Sequence, residues 1–458
     1  MADLSRIFKA YDVRGVVPDE WDDTVAELLG AAFAELTGAT CVVVGHDMRP
    51  TSPRLARAFA RGAVARGTDV VSIGLCSTDG LYFASGSLCV PGAMFTASHN
   101  PARYNGVKFC LEEAAPLSGN LSLDTVRALA EQWMENQPPV STRRLGTVVE
   151  RDVLFDYADF LRATVDLSDI RPLKVVVDAG NGMAGLTVPA VLRGLPLDVV
   201  PLYFELDGTF PHHPANPLDP KNLLDLVQKV REEGADLGVA FDGDADRCFV
   251  VDERGEAVPP SALCALIADR TLKQSPGATV IHNLITSRAV PEIIAEAGGT
   301  PVRTRVGHSF VKAEMARTGA VFGGEHSAHY YFREFWNADT GMLAALHVLR
   351  ALGEQSDPLS TVMARYSRYQ ALDETNYRVE DPAAAIARVK DRAAGLFDDL
   401  VTFEEVDGLT VTSTHGWWFN LRPSNTEPLL RLNVEADSQE RCVRIRSAVE
   451  GLLLPHAA

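Results

Sequence analysis

The chain has 458 residues, 46% of them hydrophobic and 23% charged, and a formal net charge of −18 from 43 basic against 61 acidic side chains. Such a length exceeds one hydrophobic core and predicts several domains of roughly 100 to 200 residues, while the composition excludes a disordered chain. The acidic balance excludes a sequence-independent nucleic-acid binder, which needs a net cationic surface, and leaves room only for local basic pockets.

The seven cysteines (Cys41, Cys76, Cys89, Cys110, Cys248, Cys264, Cys442) are odd in number, lack CxxC spacing and sit mostly in apolar runs. They read as reduced packing residues of a cytosolic protein. The N-terminal MADLSRIFKAYDVRG has no apolar core of signal-peptide length, and nowhere do about 18 apolar residues run uninterrupted, so a soluble, cytoplasmic protein with no membrane partner is expected.

In chain order, one succession of elements occurs three times: strand, helix, strand, helix, then a third strand ending in a polar loop. The first unit has strands in CVVVGHD (41–47), DVVSIGL (69–75) and GAMFTAS (92–98), with SPRLARAFARGAVAR as the helix between the first two. EQWMENQPPVSTRRLG (131–146) reads as the linker to the second unit, whose strands are LKVVVDAG (173–180), DVVPLYF (198–204) and ADLGVAFDG (235–243), the last preceded by the helix NLLDLVQKVREEG. The third has ATVIHNLI (278–285), PVRTRVG (301–307) and AVFGGEHS (320–327). From about residue 370 the pattern changes to NYRVE, a helix in DPAAAIARVKDRAAG, strands in GLTVTST, GWWFNL and LLRLNVEA, and a closing helix SQERCVRIRSAVEGLL. The expected architecture is α/β: three consecutive related βαβαβ-type domains (1–145, 146–253, 254–369) with mainly parallel sheets, then an α+β domain (370–458), around one central cleft. Ligands in such folds sit at the carboxyl ends of the strands, which singles out the loops TASHNP, DGDADR and GEHSAHYYF.

Each loop has its own chemistry. In KAYDVRG, Lys9, Tyr11 and Arg14 offer cationic and phenolic donors, or form a solvated strand end. TASHNP delivers Ser98 at the mouth of a turn beside Thr96, His99 and Asn100; the GxSxG elbow of a Ser-His-Asp hydrolase is missing. DGDADR sets Asp242, Asp244 and Asp246 at alternate positions, an all-oxygen set suited to Mg²⁺ or Ca²⁺. An EF-hand is the nearest competitor, since Glu253 is twelfth from Asp242, but Arg247 stands where that loop needs glycine and strands replace its helices. A solvated acidic turn fits poorly between the apolar LGVAF and CFVVD. GEHSAHYYF combines Glu325, His326, Ser327 and His329, able to hydrogen-bond sugar hydroxyls, and RPSNTEP offers Arg422, Ser424, Asn425 and Thr426, which fit a phosphate. A strand-end serine, a carboxylate metal cluster and a separate phosphate cradle are together the parts of phosphoryl transfer.

Four ordered motifs, TASHNP, DGDADR, GEHSAH and RPSNTEP, supported by KAYDVRG, YNGVK and VGHSF, give the chain a resemblance over essentially its whole length to the α-D-phosphohexomutases, which include phosphomannomutase and phosphoglucomutase. The resemblance implies that Ser98 is carried as a phosphoserine, that Mg²⁺ is held by Asp242, Asp244 and Asp246 with a phosphoserine oxygen, and that Arg247 stabilises the transferring group. It points to Lys108 and His99 for proton handling, with His308 and His329 as secondary candidates, and to Lys9, Tyr11, Arg14, Glu325, Ser327 and the RPSNTEP residues for the hexose phosphate. The implied reaction interconverts mannose 6-phosphate and mannose 1-phosphate, and the glucose phosphates too, through a hexose 1,6-bisphosphate that also serves as activator. GEHS resembles the GE-x-S-x-H form of phosphomannomutases rather than the GEES form of dedicated phosphoglucomutases. The competing readings are a phosphoglucosamine mutase and a catalytically silent sugar-phosphate binding protein; the intact Ser98, Asp triplet and Lys108 speak for an enzyme.

Overall fold

The computed structural model describes residues 3–453 apart from 120, 137, 139–140, 142–143, 396–399 and 425–428. The first three sheets repeat one plan. Their parallel strands run in the order second, first, third: Asp69–Leu75, Cys41–His46, Gly92–Phe95 in the first; Leu197–Leu202, Leu173–Asp178, Leu237–Phe241 in the second; Thr300–Thr304, Thr279–Asn283, Phe322–Gly324 in the third. Each third strand then pairs with an antiparallel fourth: Tyr104–Cys110, Cys248–Asp252 or Tyr330–Phe332. The sheets are therefore mixed, a parallel core extended on one side by antiparallel strands. All three candidate loops are the connections between the third strand and this fourth one, so their equivalence is topological.

The β-branched runs explain the parallel cores: Leu237–Phe241 is buried along its whole length, as both-face coverage by helices requires. The fourth strand of the first unit was not legible by pattern, because YNGVK carries Asn105 and Lys108 where a buried strand would carry apolar residues. The expected linker also differs. Its first residues belong to the helix Leu123–Asn136, whose buried Val126, Ala130 and Trp133 share one face, with the Arg66 guanidinium over Trp133, 5.2 Å from the ring centroid. Val148–Glu150, beyond the expected boundary at 145, lies on the edge of the first sheet beside Asp69–Leu75.

The last unit is an all-antiparallel sheet, in the order Gln370–Arg378, Leu429–Ala436, Trp418–Pro423, Leu409–Ser413, Val401–Glu404, packed against the helices Pro382–Ala393 and Gln439–Leu453. Its apolar cluster is separate, whereas the second and third units share one core with the helix Thr78–Leu88 of the first. Among the described residues no helix is long and apolar enough to cross a membrane.

Candidate active site

Ser98 is buried, and its backbone is in the left-handed region at φ 48°. The hydroxyl donates to Asp242 Oδ2 at 2.7 Å, stands 3.2 Å from His99 Nδ1, and accepts from Arg247 Nη2 at 3.3 Å. The turn is shaped from behind by Arg49, whose fully buried guanidinium donates to the carbonyls of Ser98, Asn100, Pro101 and Tyr104 at 2.7–2.9 Å and pairs with Asp47 at 3.2 Å. Sequence reasoning missed Arg49. The signal was there: HDMRP follows a parallel strand at its carboxyl end, the position that drew notice to the other loops.

The second loop supplies the charge. Ligand oxygens of Asp242, Asp244 and Asp246 lie within 4.8 Å of one another. Asp244 Oδ2 accepts from Thr78 Oγ1 at 2.6 Å and from Lys108 Nζ at 2.8 Å, while Lys108 also donates to Asp246 Oδ2 at 2.5 Å. Burial, with the charges of Asp246 and Asp244 beside it, pushes the Asp242 carboxyl well up. For Asp244 burial acts the same way, but the Lys108 ammonium outweighs it and holds the carboxyl low; burial opposes the Lys108 charge too, and its two carboxylates outweigh that and hold its pKa high. Asp244 Oδ1 and Asp246 Oδ1 are buried without a hydrogen-bond donor among the described residues. Two orphaned carboxylate oxygens in an all-oxygen cluster fit a hard divalent cation such as Mg²⁺.

The third loop meets the second through a main-chain bridge between Arg247 and His329. His329 Nε2 lies 3.7 Å from Asp246 Oδ1 and its Nδ1 3.0 Å from Ser327 Oγ. Glu325 is already engaged by the protein, accepting from Tyr331 Oη at 2.5 Å, Asn283 Nδ2 at 3.0 Å and the Gly307 amide at 3.2 Å. Nearby, Lys312 pairs with Asp339 at 3.0 Å, its ammonium 3.8 Å above the Tyr82 ring; no motif signalled this buried pair.

The N-terminal candidates divide. Arg14 donates to Asn100 Oδ1 at 2.6 Å, inside the serine loop. Tyr11 donates to the Val306 carbonyl at 3.1 Å and packs edge-on against His308 at 5.3 Å between centroids, joining the first unit to the third. Burial pushes the His308 imidazole down to about 3, and burial together with the Arg247 and Arg14 charges pushes His99 well below its usual range, so both are neutral at pH 7. Lys9 is exposed and donates to the Arg6 carbonyl at 2.6 Å, lining a cavity of about 360 Å³ with Tyr11, His308 and Lys312. In the fourth unit Arg422 is buried and donates to Glu374 Oε2 at 3.0 Å, and Ser424 Oγ accepts from Arg431 at 3.3 Å; Asn425 and Thr426 lie outside the described residues.

This chain matches all four domains described for phosphoglucomutase/phosphomannomutase: alpha/beta/alpha domain I over residues 5–137, domain II over 156–255, domain III over 259–369 and the C-terminal domain over 374–452. The chain belongs to the phosphoglucomutase/phosphomannomutase family. It is 41% identical over 438 residues to a phosphomannomutase from Escherichia coli, covering 94% of each chain. To the phosphohexose mutases of Xanthomonas campestris it is 40% identical over 444 residues, covering 96% of this chain and 97% of that one. The solved phosphoglucomutase/phosphomannomutase family protein of Burkholderia thailandensis superposes with a TM-score of 0.90 at 33% identity, over 100% of this chain and 99% of that one. Membership of this family makes the protein an isomerase of carbohydrate metabolism.

Proposed function

We propose that the protein is a phosphomannomutase, with activity on glucose phosphates as well, working through a phosphoserine at Ser98 and a hexose 1,6-bisphosphate. The observation that carries this reading is the placement of Ser98 Oγ, 2.7 Å from Asp242 and 3.3 Å from Arg247. A phosphoryl group on that oxygen lies between the carboxylate cluster and a fixed guanidinium, the arrangement that stabilises charge in transfer.

In the first half-reaction the sugar hydroxyl attacks phosphorus, the bond to Ser98 Oγ breaks, and a proton passes from the sugar oxygen to the serine side. Lys108 and neutral His99 would handle that proton, with His308 and His329 as secondary candidates. Asp242, Asp244 and Asp246 would hold Mg²⁺, which supplies electrostatic stabilisation of the phosphoryl oxygens. Arg247, 3.3 Å from Ser98 Oγ, would stay on the transferring group, while Arg14 and Arg49 hold the serine loop. Arg422, Ser424, Asn425 and Thr426 would hold the phosphate that is not reacting, with Tyr11, Lys9, Ser327 and Glu325 around the sugar. The bisphosphate then turns and returns its other phosphate to Ser98.

The relatives near 40% identity are named for mannose and hexose phosphates, which supports mannose over glucosamine. A panel of mannose, glucose and glucosamine phosphates with Mg²⁺ and a trace of hexose 1,6-bisphosphate tests the choice; turnover greatest on glucosamine phosphate would overturn it. Intact mass should show a labile increment of about 80 Da that Ser98→Ala removes together with turnover. Retained turnover in that variant would rule out Ser98 as carrier.

A further inference from the structure

We propose that Glu374 is a built-in counter-ion that weakens the phosphate grip of the fourth unit, so that a sugar bisphosphate can let go and turn. This rests on the mutase reading, and in particular on Arg422 as a phosphate ligand.

Arg422 on Trp418–Pro423 stands directly opposite Arg431 on Leu429–Ala436. Two like charges facing each other across a ladder repel, and such a pair needs an anion. Glu374 supplies it, accepting from Arg422 Nη2 at 3.0 Å and pairing with Arg431 Nη1 at 3.3 Å. The strand that carries it has a bulge at that point. Register runs from Leu372 opposite Val434 to Thr375 opposite Leu432, so three steps on one strand face two on the other, and the extra residue falls at Asp373–Glu374. A bulge of this kind re-aims side chains and is common beside active sites.

The arginines are not saturated by Glu374. Arg422 Nε and Arg431 Nε are both buried without a hydrogen-bond partner among the described residues. The trio adjoins the start of the phosphate loop, where Ser424 Oγ accepts from Arg431 at 3.3 Å, and the charges of Glu374 and Arg422 reach His326 of the third loop. A dianionic phosphate entering here competes with an ion pair already made. Two bare guanidiniums would bind it more tightly and release it more slowly, and a mutase must release and rebind each end of its bisphosphate in every turnover.

Glu374→Gln keeps the shape and removes the charge. Inorganic phosphate should then inhibit at about tenfold lower concentration, the effect of one charge a few ångströms away in a partly exposed site. KM for mannose 1-phosphate should fall with it, and kcat should fall as well, since release has slowed. Glu374→Asp, which retains the charge, should restore both toward wild type. A merely structural clamp predicts the reverse split: a raised KM and weaker phosphate inhibition in Glu374→Gln. That result, unchanged phosphate inhibition, or a Glu374→Gln protein that no longer folds overturns the proposal. If the wild-type protein turned over no hexose phosphate, the mutase reading would fall instead, and calorimetric binding of inorganic phosphate to wild type and both variants, which needs no turnover, would still decide what Glu374 does.

Discussion

Ser98 holds its hydroxyl on a backbone at φ 48°, a conformation that costs a non-glycine residue roughly 1–2 kcal/mol. Ala245 at φ 62° and Ala328 at φ 67° do the same in the second and third loops, so each of the three loops holds one non-glycine residue in this region. Around Ser98 the restraint is polar: Thr96 Oγ1 accepts from its amide at 2.9 Å and Arg49 takes its carbonyl at 2.8 Å. The same economy of position governs Asp244, which serves Thr78, Lys108 and an open oxygen at once. Asp244→Asn should therefore raise the Mg²⁺ concentration for half-maximal activity and lower kcat together. Losing an outer partner of a metal site already costs about 10- to 100-fold, and losing a ligand charge lies at or beyond the upper end. A Mg²⁺ titration of turnover measures both effects, and an unchanged titration would remove Asp244 from the metal site.

At the level of the element, the loops approach one another closely enough that glycine is required between them. A Cβ built on Gly243 would stand 2.5 Å from the Ser98 carbonyl, a backbone atom that cannot swing away. Gly243→Ala should displace the serine turn and cut kcat by about 100-fold, as an ångström-scale misplacement does, with circular dichroism unchanged. The strand Thr279–Asn283 carries a different constraint. Burial, reinforced by the Arg303 charge, pushes His282 down to about 4, below the 6.5 of an exposed imidazole. The unfolded chain then binds the proton more readily, so this residue's contribution to stability is present above pH 6.5 and is lost as pH falls to about 4, at most about 3 kcal/mol. Denaturant titrations of wild type and His282→Gln across that window should converge toward low pH, since the variant has no imidazole to charge.

Across the whole molecule, one carboxylate ties three units together. Asp79, at the start of the helix Thr78–Leu88, accepts from Tyr157 Oη of the second unit and Thr340 Oγ1 of the third, each at 2.7 Å. Thr78 beside it bonds Asp244, so the junction and the acidic cluster share one helix start. Tyr157→Phe keeps the ring against Phe83, 5.9 Å between centroids, but leaves a buried acceptor short of a donor. A loss of about 1–3 kcal/mol is expected, read as a lower denaturation midpoint, with kcat reduced while the phosphate affinity of the fourth unit is unchanged. A fall in phosphate affinity instead would mean that the fourth unit, whose apolar cluster is separate, is coupled through the junction.

The sequence by itself determined the three-fold repeat, the α/β class and the four loops, because a parallel core needs continuous apolar runs and phosphoryl transfer needs particular side chains crowded into short windows. It left the fourth strand of the first unit hidden, since the polar Asn105 and Lys108 break its apolar pattern, and it took a polar-looking helix end at Glu131–Asn136 for linker because Trp133 alone carries that turn's burial. Only the tertiary structure decided which loops meet, that Arg49 cages the serine turn, and that Glu374 answers two arginines. Thr340 and Asp79 are 261 residues apart and Thr78 and Asp244 are 166 apart, and no local pattern encodes such a pair. A hydrogen bond is set by distance and angle in space, which come into being only when separately folded units pack against one another.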